Sequence, residues 1–144
     1  MSQENVEIVR RMYEFWSGGD WEGMVELVDP NVEQHGTIGG LEEGHISRGT
    51  DEIRQRFEAE NIEVWEEHRI DPVKFIDAGE RVVVIQHEYQ RGRGSGVEIE
   101  IDTASVLDVR GGRIVRIQPY MNPAAALEAV GLSPADSDET GRSE

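Results

Sequence analysis

The sequence predicts an α+β fold, helices first and then a curved antiparallel sheet folded around them. Three observations carry this prediction. Apolar residues near the amino terminus recur at helical spacing. The stretch from Arg81 to Met121 alternates as three strands: 81–90, 97–109 and 113–121. The links between those strands, Gly92-Arg93-Gly94-Ser95-Gly96 and Arg110-Gly111-Gly112, are short and glycine-rich, which suits hairpins and rules out the long crossovers that parallel strands need.

Val6, Val9, Met12, Tyr13 and Trp16 predict an amphipathic helix over about Gln3 to Ser17, capped by Ser2 and stopped by Gly18-Gly19. Asp20 caps a second helix, Trp21 to Val28, which Asp29-Pro30 ends. Asn31 to Ile38 reads as a short strand with Val32 and Gln34 on one face, and Gly39 to Gly49 as a polar loop. Thr50 caps a third helix that ends near Asn61 and buries Ile53 and Phe57, with Trp65 on the same side. The extended segment from Val64 to Phe75 contains Asp71-Pro72, and a proline confines a strand to an edge or a bulge. After Asn122-Pro123, Ala124 to Val130 forms a short closing helix stopped by Gly131. Residues 1–132 are expected to form one domain. Residues 133–144 contain no large apolar side chain and are expected to be a disordered acidic tail.

A chain of 144 residues with 37% hydrophobic content can bury a sizeable core. It has no cysteine, so disulfides, thiolate metal sites and a cysteine nucleophile are excluded. A net charge of −16 repels nucleic-acid phosphates and anionic membranes, which argues against either as a partner. Between Arg81 and Met121 six arginines face five carboxylates, so the acidity is concentrated elsewhere and suits solubility. The first residues lack the basic start and apolar run of a signal peptide, and no apolar stretch approaches a membrane span. A soluble cytoplasmic protein is the expectation.

Alternation sorts the strand faces. Val83, Ile85, His87 and Tyr89 share one face; Val97, Ile99, Ile101, Thr103, Ser105 and Leu107 share another; Val115, Ile117, Pro119 and Met121 a third. These more apolar sets are read as inward. Gln86, Glu88, Gln90, Glu98, Glu100, Asp102, Asp108, Arg116, Gln118 and Tyr120 are read as outward. A mostly apolar interior with a few polar exceptions is the usual design of a small-molecule site.

Several stretches together resemble the SnoaL-like branch of the NTF2-like superfamily: Val6 to Trp16 followed by Gly19-Asp20, Asp29-Pro30-Asn31-Val32-Glu33, Arg48 to Ile53, and Gly112 to Arg116. The resemblance covers about Gln3 to Leu132. It implies a cone-shaped α+β barrel in which a curved antiparallel sheet wraps three amino-terminal helices, a small apolar organic ligand, no cofactor, and a homodimer through the outer sheet face. That face would hold Gln86, Glu88, Arg116, Gln118 and Tyr120. The ketosteroid isomerase pattern transfers poorly: its oxyanion-hole tyrosine aligns with Met12, one residue from Tyr13, and its general-base aspartate with Gln34, which takes no proton near neutral pH. Its third acid resembles Asp102 by local motif, whereas a gapless count lands on Ala104. For the epoxide hydrolase pattern, Arg91, Arg93 and Asp102 lack the spacing of a full set.

His87, an imidazole on an apolar strand face, is the candidate general base. Gln34 and Tyr13 are candidate polar positioners, and Asp102 a candidate acid if a bulge turns it inward. Met12, Trp16, Phe57, Ile85, Tyr89, Ser105, Ile117, Pro119 and Met121 are candidate ligand-binding residues. Each has a plain structural alternative: a satisfied core histidine, a buried amide, helix packing. His35, His45 and His68 lack metal-ligand spacing, so no metal is assigned. The expected function is binding of a small apolar molecule, with cofactor-independent isomerisation, cyclisation or hydrolysis set against a non-catalytic binding or interaction module.

Overall fold

The structure, a computed structural model, describes residues 2–133. Apart from Ser133, the expected tail lies outside the described residues. Four helices form: α1 (Ser2–Ser17), α2 (Trp21–Leu27), α3 (Gly49–Glu63) and α4 (Pro123–Ala129). Six strands form: β1 (Val28–His35), β2 (Ile46–Arg48), β3 (Trp65–Ala78), β4 (Arg81–Gly92), β5 (Glu98–Arg110) and β6 (Arg113–Tyr120). They make one sheet in the order β2-β1-β6-β5-β4-β3, with β2 and β3 as free edges. The sheet is therefore curved but not closed into a barrel.

Strands β3 to β6 form the expected antiparallel meander. In contrast with the all-antiparallel expectation, β1 runs parallel to β6. A parallel pair needs a long connection, and the chain from β2 through β5 supplies one. Register shifts at Val28/Glu33, Trp65/Glu67, Pro72/Lys74 and Asp108/Val109 bend the strands and give the sheet its curvature. Pro72 lies in edge strand β3 beside such a bulge, where its missing N–H costs no central ladder bond.

The helix ends follow local chemistry. Asp20 accepts from the Gly23 N–H at 2.9 Å and Asn122 accepts from Ala124 N–H at 2.9 Å, each capping a short helix. Thr50 is not a cap. Gly49 adopts φ +81°, so the chain turns out of β2 one residue earlier, and Arg48 occupies the cap position. The Glu52 carboxylate, one turn into the helix, accepts from the Arg48 N–H at 3.0 Å. Trp65 begins β3 and does not belong to α3. The expected loop from Gly39 to Gly49 contains β2, which pairs with the end of β1.

The main core packs Val9, Met12 and Tyr13 of α1 and Leu27 of α2 against Val82, Val84, Leu107 and Ile114 of the sheet. A second cluster lies on the opposite face, where Ala126 and Leu127 of α4 cover Val83, Ala104 and Val106. This second layer corrects the reading of β4. Gln86 pairs with Thr103, Val84 with Ser105 and Val82 with Leu107, so Gln86, Glu88 and Gln90 face the helices. Ile85, His87 and Tyr89 face outward. Val82, Val83 and Val84 are all fully buried because β4 is covered on both sides, so hydrophobicity does not distinguish its faces. Gln86 and Glu88 are accordingly absent from the outer face on which a dimer was expected. The inward sets of β5 and β6 stand as expected for Thr103, Ser105, Leu107, Ile117 and Pro119, while Val115 is the extra residue of the bulge that turns Ile114 into the core.

Leu107 is 0% exposed at the centre of this packing. Leu107→Ala is expected to lower stability by about 2–5 kcal/mol through lost transfer energy plus a cavity, read as a reduced urea midpoint with unchanged slope.

Candidate functional site

A cavity of about 680 Å³ opens between the concave sheet face and helices α1, α2 and α3. Met12, Trp16, Phe57, Ile117, Pro119 and Met121 contribute apolar wall. One polar part of the lining, on β4 and its neighbours, is a continuous chain of hydrogen bonds. The Tyr13 hydroxyl donates to Gln86 Oε1 at 2.7 Å. The Gln86 amide donates to Thr103 Oγ1 at 3.1 Å and to Ser105 Oγ at 3.4 Å. Thr103 donates to Glu88 Oε2, and His68 Nε2 donates to Glu88 Oε1 at 3.0 Å. His68 reaches Glu88 because β3 pairs it with Gln90, which makes Glu88 its diagonal neighbour on the same face.

Burial alone would raise the Glu88 carboxyl, but the hydrogen bonds from His68 and Thr103 outweigh it and hold the group below the usual carboxylate range. The side chain is 14% exposed, so the cavity contains an ionised carboxylate. In the neutral ring, an Nε2–H donated to Glu88 leaves the lone pair of His68 on Nδ1, which has no partner among the described residues. The Tyr13 phenol is pushed well above its ordinary value by burial, and so remains a donor.

At the other side of the cavity, Arg56 is held by Glu42 at 2.8 Å and Glu60 at 3.3 Å, and its Nη1 donates to His45 Nε2 at 3.0 Å. A guanidinium can only donate, so Nε2 of His45 is unprotonated. Ser47 Oγ lies 3.2 Å from the same nitrogen. The segment between β1 and β2 folds tightly: the Gly36 N–H donates to His45 O at 2.8 Å, and a Cβ on Gly36 would lie 1.7 Å from the Glu42 carbonyl oxygen.

Of the residues expected to form the site, Tyr13, Gln34, Met12, Trp16, Phe57, Ser105, Ile117, Pro119 and Met121 line this cavity. His87, Asp102, Ile85 and Tyr89 do not. The β4–β5 ladder runs from Arg81↔Asp108 to Arg91↔Glu98 without a shift, so His87 lies opposite Asp102 and both face outward. His87 Nδ1 is 3.0 Å from Asp102 and Nε2 is 3.3 Å from Glu100. Hydrogen bonds to Asp102 and then Glu100 raise the imidazole above its ordinary value and favour the doubly protonated ring. Ile85 packs with the α4 cluster, and Tyr89 carries Arg69 over its ring at 4.7 Å. The sequence reading missed Gln86, Glu88, Gln90, His68 and Trp65. A signal existed: polar residues at three alternate positions of a strand that follows a fully apolar start.

The SnoaL-like domain family model matches residues 9–117. The chain therefore belongs to the SnoaL-like domain family. An NTF2-like protein of unknown function from Burkholderia pseudomallei is 24% identical with a TM-score of 0.71, over 89% of this chain and 98% of that one. TerC, co-crystallised with polyporic acid, is 26% identical with a TM-score of 0.71, over 88% and 98%. A Catenulispora acidiphila protein with a ketosteroid isomerase-like fold, in complex with trimethylamine, is 21% identical with a TM-score of 0.66, over 90% and 95%. No curated protein matches the chain in sequence. Among the described residues no helix is long and apolar enough to cross a membrane.

Two outcomes test this geometry. The folded-state value of Glu88 lies below the unfolded value of about 4.3, so its ionisation stabilises the fold above that pH, a contribution lost as pH falls through the folded value. Urea midpoints of the wild type and Glu88→Gln, followed downward from neutral pH, are expected to converge below about pH 4.3; a constant difference would show that the carboxyl is not held ionised. Gly36→Ala must displace the Glu42 backbone, and is expected to cost about 1–3 kcal/mol by thermal denaturation.

Proposed function

We infer that this chain binds a small, largely apolar organic molecule in the cavity and performs cofactor-independent acid/base chemistry on it, with His68 as the base. The observation that carries the reading is the His68–Glu88 pair at 3.0 Å in an otherwise mostly apolar cavity. A carboxylate on one ring nitrogen fixes the tautomer of a neutral imidazole, so that the other nitrogen presents its lone pair. His68 takes the role that the sequence suggested for His87; Glu88 positions it. Gln34 and Tyr13 are polar positioners: among the described residues nothing hydrogen-bonds the Gln34 side chain, which leaves its amide for a ligand. The ligands in TerC and the Catenulispora structure support binding of small organic molecules on this fold. In this reading the chain is a homodimer through the outer sheet face, the face that His87 and Tyr89 of β4 share with Arg116, Gln118 and Tyr120 of β6.

A non-catalytic binding module is the second reading, favoured by Gln34 at the position where a related base would be an acid. Native mass spectrometry of the purified chain identifies a co-purifying molecule and counts subunits. Incubation of that complex in deuterated water then reads acid/base chemistry as isotope entering a carbon of the ligand. The wild type and His87→Ala are expected to incorporate deuterium alike, and His68→Ala to slow by about 10²–10⁴-fold. Bound ligand without incorporation by the wild type would leave the non-catalytic reading.

A further inference from the structure

All three tryptophans of the chain, Trp16, Trp21 and Trp65, line the cavity together with Phe57. Each is only half-buried by the protein itself. Trp16 and Trp21 both meet Phe57 edge-to-face, with centroids at 5.6 and 5.5 Å, while Trp65 lies 5.6 Å from the ring of His68, the residue that bonds Glu88. Aromatic rings have negative faces, which attract cations: Arg54 lies 5.7 Å over Trp21, whereas among the described residues no cation lies over Trp16 or Trp65.

The charges of the lining have the same sign. Three carboxylates, Glu42, Glu60 and Glu88, face one guanidinium, Arg56, whose charge is already engaged by Glu42 and Glu60. Glu88 accepts from His68 and Gln90 on Oε1 and from Thr103 on Oε2, and its side chain keeps 14% exposure in the cavity lining. Among the described residues the lining holds no Lys or Arg besides Arg56, and a net charge of −16 over the whole chain repels an anionic ligand further. A neutral hydrocarbon would satisfy the walls and leave the charge unused.

Resting on the reading of this cavity as a ligand site, we propose that its ligand is an organic amine, with the ammonium group held among the tryptophans and directed at Glu88. The apolar remainder of the molecule lies against Met12, Ile117 and Pro119. Glu88 thus has two roles, orienting His68 and selecting ligand charge.

The test compares three probes: phenyltrimethylammonium, its uncharged isostere tert-butylbenzene, and the anion 4-tert-butylbenzoate, which adds a carboxylate to the same frame. Each is titrated into the full chain by calorimetry and by quenching of tryptophan fluorescence. The ammonium is expected to bind about tenfold more tightly than the isostere, the worth of a desolvated cation–π contact, and the anion more weakly than either. Trp65→Leu and Glu88→Gln are expected each to abolish that preference while tert-butylbenzene still binds, which shows that the variant cavity is intact. Equal or stronger binding of the isostere or the anion to the wild type overturns the amine assignment and leaves the cavity as a ligand site. Failure of all three probes to bind overturns both.

Discussion

The buried hydrogen bond between Tyr13 and Gln86 fixes how the helices meet the sheet, and the site depends on it. Gln86 is 2% exposed in the middle of β4, where an unpaired amide would be costly. It is tolerated because every part of it is used: the carbonyl takes the Tyr13 hydroxyl from α1, and the amide serves Thr103 and Ser105 on β5. Since side chains alternate along a strand, placing Gln86 inward also places Glu88 and Gln90 inward. One satisfied amide therefore turns the whole polar edge of β4 into the cavity.

The same alternation gives the chain two histidine–carboxylate pairs on opposite faces of one sheet. His87 lies between Asp102 and Glu100, half-exposed, and these two hydrogen bonds raise the affinity of its ring for a proton. His68 lies against Glu88, both largely shielded, with one ring nitrogen bonded and the other open. The bond types are nearly identical. What separates their chemistry is the medium: solvent screens the outer pair, whereas the inner pair meets any ligand in a low-dielectric space beside aromatic rings.

Much of the fold was legible in local signals. Val9, Met12 and Tyr13 form the buried stripe of α1 as their spacing implied, Asp20 caps α2, and Pro72 marks an edge strand with a bulge. Gln34, Trp16 and Phe57 reached the cavity because each lies on an element with only one buried side. The faces of β4 were not legible, for a reason visible in the structure. Val82, Val83 and Val84 are buried together between α1 and α4, so the strand has no hydrophobic period at the point where a reader must choose its phase.

Sequence by itself determined the α+β fold class, the succession of its elements apart from β2, and the acidic, cysteine-free chemistry available to it, because these rest on composition and on periods within a few residues, while the SnoaL-like resemblance rested on short motifs in order. Tertiary structure alone decided that Glu88 and His68, not His87 and Asp102, enter the cavity. That choice depends on a register between strands and on a carboxy-terminal helix covering the far side, contacts between residues distant in the chain that no local pattern encodes.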